Sequence, residues 1–195
     1  MCREQLPVWQ AFYEKHKAEN FELVAVAMDA AGPDKPRQFY DQHRVTFTRA
    51  VDQSDALWET LDFQVVPNGI FLDEQGIVRY AKFGGFEARD PEDVAAIEKL
   101  LASPVAASPA SSPRAAARVP PGPARQWFQR GVEALQKGDK VAAAQYWRRA
   151  LRVDPNNLVI RKQIWALEHP EQFYPKINPD WQRQQLAEER KKQGR

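Results

Sequence analysis

The spacing of apolar and polar residues in the first hundred positions alternates between helical and extended periods. Apolar residues recur at helical spacing over 3–19, 34–45, 54–62 and 90–102. Runs typical of strands occupy 21–29, 47–52 and 68–83, and the last divides into two strands around the turn "DEQG". The two strands at this turn are therefore predicted to be antiparallel. The order helix, strand, helix, strand, helix, strand, strand, helix predicts an α/β layer fold.

Individual residues add detail to three of these elements. The continuous apolar run in 21–29 predicts a buried strand. Ser54 or Asp55 is predicted to cap the helix over 54–62. In the last helix Asp90 is the predicted N-cap and Pro91 the first helical residue. The buried stripe of that helix is predicted to comprise Val94, Ile97, Leu100 and Leu101.

The second half of the chain has a different pattern. Residues 102–124 are rich in Ala, Ser and Pro without apolar periodicity, which predicts a linker between a first domain at 1–101 and a second at 125–170. Residues 171–195 are predicted to form a charged helix or a frayed tail. The second domain is predicted to be all-helical, with two helices around the turn "KGD" at 137–139 and a third, capping helix within 156–170.

The two helices around "KGD" resemble the tetratricopeptide repeat. Six residues fall at the spacings of that pattern: Trp127, Gly131, Ala143, Trp147, Ala150 and Pro155. Arg130 and Ala134 depart from it, where leucine and tyrosine are usual. Small Gly131 and Ala143 would let the helices approach, and Trp127 and Trp147 are predicted core residues. The resemblance implies a surface that binds a protein partner.

Charge and composition exclude several functions. Residues 1–101 carry a net charge of −7 and residues 102–195 a net charge of +9. The basic half shows no basic stripe interleaved with exposed aromatic residues, as single-strand binding needs, so nucleic acid is not predicted as a partner. One cysteine excludes an internal disulfide framework, and the apolar runs are too short to span a bilayer. His16, His43 and His169 lack ligand spacing, so neither a metal nor another cofactor is predicted. "GG" at 84–85 precedes no Lys-Ser/Thr helix and is predicted to be a loop, not a phosphate site.

Three stretches of 1–101 together resemble the thioredoxin superfamily, in its TlpA/ResA-like branch. They are "CREQLP" at 2–7, "DKPRQFYDQHRVTFTRAVD" at 34–52 and "VVPNGIFLDEQGIVRY" at 65–80. The resemblance implies a thiol–disulfide oxidoreductase with a thioredoxin-like three-layer fold. Its partners would be a protein disulfide or thiol substrate and a reducing protein. By the same resemblance Cys2 is the resolving cysteine, Pro67 the cis-proline and Val66 the residue whose backbone pairs with substrate.

The resemblance also places two features before the given sequence. The nucleophile would lie three positions before Cys2, and the first central strand would precede it. Strands left beside that gap would hold unpaired backbone groups, at a cost of about 1–3 kcal/mol each. We therefore expect that Met1 is not the biological start and that the domain over 1–101 lacks its first central strand. The residue at that position could be Cys, Sec or neither. Sec is considered because a Sec codon taken for a stop would move the apparent start to Met1.

Other interpretations remain open from the sequence alone. Cys2 could be an incidental thiol, and Pro67 an ordinary turn proline before a strand. Instead of an oxidoreductase, the chain could be a redox-inactive scaffold or a peroxidase of the peroxiredoxin type, although no Thr/Ser–Cys peroxidase motif surrounds Cys2. The compartment is not determined by the sequence: no export signal is present, and one could precede Met1.

Overall fold

The elements of the chain follow the predicted alternation. The computed structural model describes residues 2–61, 65–102 and 122–192. A 3₁₀ turn, Cys2–Gln5, leads into α1 (Leu6–His16), and a second, Pro170–Gln172, follows the seventh helix. The strands are β1 (Val24–Met28), β2 (Thr48–Asp52), β3 (Gly69–Leu72) and β4 (Val78–Lys82). The other helices are α2 (Asp34–Gln42), α3 (Ala56–Leu61), α4 (Pro91–Ala102), α5 (Pro123–Gln136), α6 (Lys140–Val153), α7 (Leu158–Glu168) and α8 (Pro179–Lys192).

The four strands form two separate pairs. β1 and β2 are parallel, with Val24 opposite Thr48 and Met28 opposite Asp52. β3 and β4 are antiparallel, as predicted, with a register irregularity at Phe71 and Leu72. Within the described residues the two pairs are not hydrogen-bonded to each other. Within the part of the chain that the structure describes, both outer edges of each pair therefore lack a strand partner.

The strand β1 is less buried than its apolar run predicts. Val24 and Val26 are 55% and 39% exposed. Alternate residues of a strand face opposite sides, and the side of Ala25 packs against a cluster of Leu6, Tyr40, Val45 and Phe47. The opposite side of β1 has no comparable cover among the described residues. The prediction of a fully buried strand was wrong for this face.

The helix α3 is capped by a residue other than the two predicted. The carboxylate of Asp52 accepts from the backbone N–H of Leu57 at 2.8 Å and of Ser54 at 3.1 Å. Asp55 has a positive φ of 58°, and its buried carboxylate has no hydrogen-bond partner. Asp52, the last residue of β2, supplies the cap because its two carboxylate oxygens reach the N–H groups of Ser54 and Leu57. The prediction of Ser54 or Asp55 was therefore wrong.

The helix α4 buries a carboxylate as well as its predicted apolar stripe. Ile97 is buried, whereas Val94, Leu100 and Leu101 are half-buried. The carboxylate of Asp93, 2% exposed, accepts from Lys82 Nζ at 2.7 Å and from Tyr80 Oη at 3.0 Å. These bonds tie α4 to β4.

Close packing of α5 and α6 forms the centre of the helical region. Trp147, 1% exposed, lies against Gly131 and donates from its indole N–H to the carbonyl of Phe128 at 3.1 Å. Phe128 is also 1% exposed, whereas Trp127 is half-buried and stacks on Tyr146. Trp147 is thus a core residue as predicted, but Phe128, not Trp127, fills the deepest position on α5.

The last helices extend this core. The side chain of Asn157 caps α7 by accepting a hydrogen bond from the Ile160 N–H. α8 packs on α7, where the rings of Trp181 and Trp165 meet edge to face. Most of the predicted linker at 102–124 lies outside the described residues. Of its ends, Ala102 is the last residue of α4, Gly122 precedes α5, and Pro123 and Ala124 are the first two residues of α5. No helix in the described part of the chain is long and apolar enough to cross a membrane.

The helical region packs directly on the α/β region. Gln163 of α7 donates to the carbonyl of Met28 at 3.0 Å and accepts from the N–H of Ala30 at 3.1 Å. Ala30 and Trp58 belong to the same buried cluster as Phe128 and Trp147. The two regions therefore share one hydrophobic core at the carboxyl end of β1.

Candidate functional site

The turn that carries Cys2 is fixed by the buried side chain of Gln5. Gln5 is 2% exposed. Its Nε2 donates to the carbonyl of Phe86 at 3.3 Å and to the carboxylate of Glu87 at 3.1 Å. Its Oε1 accepts from the Ala88 N–H at 2.9 Å and from the indole N–H of Trp9 at 3.2 Å. One amide thus joins the start of α1 to the loop that follows β4.

The same loop reaches the residue before β3. The Val66–Pro67 peptide bond is cis, and the carbonyl of Pro67 accepts from the Phe86 N–H at 3.3 Å. The ring of Phe86 also stacks on Trp9 of α1, with centroids 5.2 Å apart. Phe86 therefore contacts both the helix that follows Cys2 and the Pro67 backbone.

The segment around Pro67 packs closely against the loop after β4, and this packing depends on two glycines and on the side-chain amide of Asn68. Asn68 donates to the carbonyl of Val65 at 2.8 Å and accepts from the N–H of Gly84 at 2.7 Å. Gly84 has φ +76°, which disfavours other residues there. A Cβ on Gly69 would lie 2.5 Å from the Phe86 ring. "GG" at 84–85 is thus a loop, as predicted, and it holds the Pro67 segment.

The predicted site residues lie in two segments of the chain. Cys2 begins the 3₁₀ turn, and Val66 and Pro67 precede β3. Gln5 and Phe86 connect these two segments. Sequence reasoning missed both, although Gln5 lies in the quoted "CREQLP" and one helical turn before Trp9. The functional roles of Cys2, Val66 and Pro67 remain predictions.

The helical region reaches the Cys2 turn through Arg3. The Arg3 guanidinium donates from Nη1 to the carbonyl of Phe173 at 2.8 Å. Its Cζ lies 3.8 Å from the ring centroid of Phe39 and 4.9 Å from that of Tyr174. The rings of Phe39 and Tyr174 stack at 6.1 Å. A cation adjacent to Cys2 in the chain is therefore enclosed by aromatic rings from both regions.

An acidic group completes this cluster. The Asp29 carboxylate accepts from the Ala31 N–H at 2.9 Å, as expected of a residue that turns the chain after a strand, and from the Tyr174 hydroxyl at 3.5 Å. Burial raises the pKa of Asp29, while the Ala31 bond and the charge of Arg3 act in the opposite direction. Burial also raises the pKa of Tyr174, and the neighbouring Asp29 adds to this.

A cleft opens beside the cluster, between the two regions. Its volume is about 400 Å³, within the range of small-ligand sites. Its lining includes Asp29, Lys35 and Tyr174, together with residues of α5, α6, α7 and the turn after α7. Asp29 and Tyr174 of the Arg3 cluster therefore also belong to the wall of the cleft.

The described residues contain no group of three or more His, Cys, Asp or Glu side chains placed to hold a metal ion. His16, predicted to be a surface or helix residue, is buried on α1, with Nδ1 2.9 Å from the Glu19 carboxylate and Nε2 3.4 Å from Glu98. His169 packs on the Trp181 ring. His16 and His169 thus make packing and polar contacts with neighbouring side chains of the fold.

Comparison with known proteins agrees with the arrangement of the first half of the chain. The redoxin family model matches residues 1–101. The sporulation thiol-disulfide oxidoreductase A of Bacillus subtilis (strain 168) is 25% identical over 89 residues, covering 45% of this chain and 54% of that protein. The crystal structure of a DsbE-like thiol:disulfide interchange protein from Chlorobium tepidum is 27% identical in sequence and superposes with a TM-score of 0.44. The match covers 52% of this chain and 68% of that chain. The chain thus spans about half the length of the Bacillus relative.

Proposed function

The chain belongs to the redoxin family, and from this premise we propose that it is a thiol–disulfide oxidoreductase of the thioredoxin type. Its substrate would be a disulfide or dithiol in another protein, and a further protein would restore its redox state. The observation that carries the proposal is the connection between the Cys2 turn and cis-Pro67. Gln5 bonds the loop at 86–88, and Phe86 of that loop bonds the Pro67 carbonyl.

Cys2 would act as the resolving cysteine. A Cys or Sec three positions earlier would first attack a substrate disulfide, releasing one substrate thiol and leaving a mixed disulfide. The Cys2 thiolate would then attack the first-position sulfur or selenium, forming a bond within the motif and releasing the second substrate thiolate, which takes up a proton. Two electrons pass from the motif to the substrate. Val66 would pair through its backbone with the substrate chain beside Pro67.

A further strand between β1 and β3 would complete the sheet. The proposal is supported by the absence of pairing between the two strand pairs in the described residues. The coding DNA upstream of Met1 tests it. We expect TGT, TGC or TGA in frame three codons before Cys2, after codons for an apolar strand. A stop codon without such a strand upstream would contradict both the strand and the first-position residue.

Enzymatic assays test the activity itself. The 195-residue chain has one cysteine and should not turn over disulfides. The same chain extended upstream, with cysteine at the first position, should reduce a protein disulfide with dithiothreitol as electron donor. Cys2→Ser in the extended chain should accumulate the mixed disulfide, detected by mass spectrometry. Robust turnover by the 195-residue chain, or release of substrate by the Cys2→Ser variant at the parental rate, would sink the assignment of Cys2.

Two alternatives make different predictions. A redox-inactive scaffold requires neither Cys nor Sec upstream, and a peroxidase of the peroxiredoxin type would consume hydrogen peroxide in the extended chain. We favour the oxidoreductase because Cys2 begins the turn that precedes α1, and Gln5 of the same turn is connected through Phe86 to the Pro67 carbonyl. The redoxin family model matches the residues that contain both segments. We further propose that the tetratricopeptide-like helices bind a protein partner. The partly exposed Trp127–Tyr146 stack, with Arg130 and Arg149 over the Trp127 ring, supports that proposal.

A further inference from the structure

Two arginines and two aromatic residues form one patch on the surface of α5 and α6, which we call the arginine–aromatic patch. It consists of Trp127 and Arg130 on α5 and of Tyr146 and Arg149 on α6. On each helix the arginine follows the aromatic residue by three positions, so the two side chains lie on the same face. The arginines are exposed, and the aromatic residues are half-buried. The patch is thus a pair of rings that carries two solvent-accessible cations.

The Trp127 ring brings the two positive charges together. It stacks on Tyr146 with centroids 6.1 Å apart and an angle of 17° between the rings. The Cζ atoms of Arg130 and Arg149 lie 4.8 Å and 4.9 Å from the Trp127 ring centroid. Because both lie so close to one centroid, their separation does not exceed the screening length of about 10 Å in 0.1 M salt. The two charges can therefore act together on one anionic group.

Neither arginine is neutralised within the part of the chain that the structure describes. Arg148, which precedes Arg149 in the chain, pairs with Glu168. No ion pair between described residues includes Arg130 or Arg149. Arg130 also departs from the tetratricopeptide pattern, where leucine is usual, so a packing position of the pattern carries a charge here. Residues 102–195 carry a net charge of +9, which adds to the positive potential around the patch.

We propose that the arginine–aromatic patch binds an acidic segment of a partner protein. Guanidinium groups present paired N–H donors to a carboxylate, and these charge-assisted bonds are stronger than bonds between neutral groups. A peptide is favoured over nucleic acid because the cations meet at one point, whereas a nucleic-acid backbone is bound along a basic stripe. The inference deepens the proposal that the tetratricopeptide-like helices bind a protein partner, and it rests on that proposal.

Fluorescence anisotropy with a labelled peptide is the test. The probe is a short fluorescein-labelled peptide in which glutamate alternates with alanine, and its control has glutamine in place of every glutamate. We expect the 195-residue chain to bind the acidic peptide about tenfold more tightly than the control peptide. Raising the salt concentration from about 0.05 M to about 0.5 M should weaken this binding, because salt screens exposed charges.

Variants separate the patch from the general positive charge of the helices. Arg130→Gln and Arg149→Gln should each weaken binding of the acidic peptide about threefold, and the double variant about tenfold. The matched control is Lys137→Gln/Lys140→Gln, which removes two exposed charges next to the turn between the same helices and should stay close to the wild type. Trp127→Leu removes the ring that holds both guanidinium groups and should weaken binding about as much as the double arginine variant. Should Trp127→Leu fail to fold, the arginine variants test the proposal alone, because they change exposed side chains.

Four results would overturn the proposal. The first two are equal affinity for the glutamate and the glutamine peptide, and equal losses of affinity in the arginine and the lysine double variants. The third is tighter binding of single-stranded oligouridylate than of the acidic peptide, which would make the patch a nucleic-acid site. The fourth is self-association that Arg130→Gln/Arg149→Gln abolishes in analytical ultracentrifugation, which would make a second copy of the chain the occupant.

Failure of the underlying proposal gives a different result. Peptide binding that is lost in Trp127→Leu but kept in both arginine variants would refute an acidic partner and leave the binding of a protein partner standing. Disulfide turnover is measured on the chain extended upstream, so the outcome for the oxidoreductase is separate from both.

Discussion

The indole of Trp147 occupies the space that a side chain at Gly131 would need. A Cβ on Gly131 would lie 2.3 Å from Trp147 Nε1 and 2.4 Å from its Cδ1. Those atoms are fixed, because the indole N–H donates to the Phe128 carbonyl and the ring is 1% exposed. The glycine thus sets the distance between α5 and α6.

Gly131→Ala should therefore destabilise the protein. Overpacking of a close helix contact costs about 1–3 kcal/mol, which exceeds the gain of roughly 1 kcal/mol in helix propensity from replacing glycine by alanine. The free energy of unfolding, measured by urea denaturation, should fall by up to about 2 kcal/mol. The control is Gly122→Ala, where a Cβ meets nothing within 4 Å. An unchanged urea midpoint for Gly131→Ala would show that the helices separate without cost.

Gln163 should hold the end of β1 against α7. Gln163→Leu leaves the carbonyl of Met28 and the N–H of Ala30 without their partner. Each lost bond costs on the order of 1 kcal/mol. Hydrogen exchange at the Ala30 amide, followed by NMR, should become about fivefold faster or more. Gln184→Leu, in exposed surroundings on α8, is the control, and equal exchange in the two variants would contradict the contact.

Gln5 should be required for the geometry of the Cys2 turn. Gln5→Leu is similar in volume but leaves the Ala88 N–H, the Phe86 carbonyl and the Trp9 indole N–H unpaired. We expect a loss of about 2–3 kcal/mol in the free energy of unfolding, from several buried groups left without partners. Differential scanning calorimetry measures it, with Gln42→Leu on the exposed end of α2 as the control. A melting temperature equal to that of the control would show that the loop at 86–88 is held by other contacts.

The sequence predicted the elements better than the contacts between them. Apolar periodicity located the helices and strands because burial of one face repeats along the chain. The resemblance to the tetratricopeptide repeat pointed to Gly131 and Trp147, whose close packing depends on residue size. Neither signal identified Gln5, Gln163 or Asp93, because a pattern along the chain does not show which polar atoms pair across 80 or more residues, or across two elements. The exposed face of β1 was missed because an apolar strand predicts a cover without showing whether one is present.

Asp55 should make the stability of the protein depend on pH between about 4 and 7. Its carboxylate is 2% exposed and has no hydrogen-bond partner. Burial raises the pKa of Asp55 to about 7, the neighbouring Asp52 adds to this, and Arg125 opposes it. The folded state therefore keeps a proton that the unfolded state loses near pH 4. The stabilisation is fully present at pH values below the pKa of Asp55 in the unfolded protein. It is lost as the pH rises through the pKa of Asp55 in the folded protein.

Asp55→Asn removes this titration and also tolerates the positive φ at that position. We expect the wild type to lose about 2–3 kcal/mol of unfolding free energy between pH 5 and pH 8 through this group. The variant should show a shallower slope and be more stable than the wild type at pH 8. Urea denaturation at the two pH values measures the difference, with the exposed Asp34→Asn as the control. Parallel slopes for the wild type and Asp55→Asn would mean that the Asp55 carboxyl is already ionised in the folded protein at pH 5.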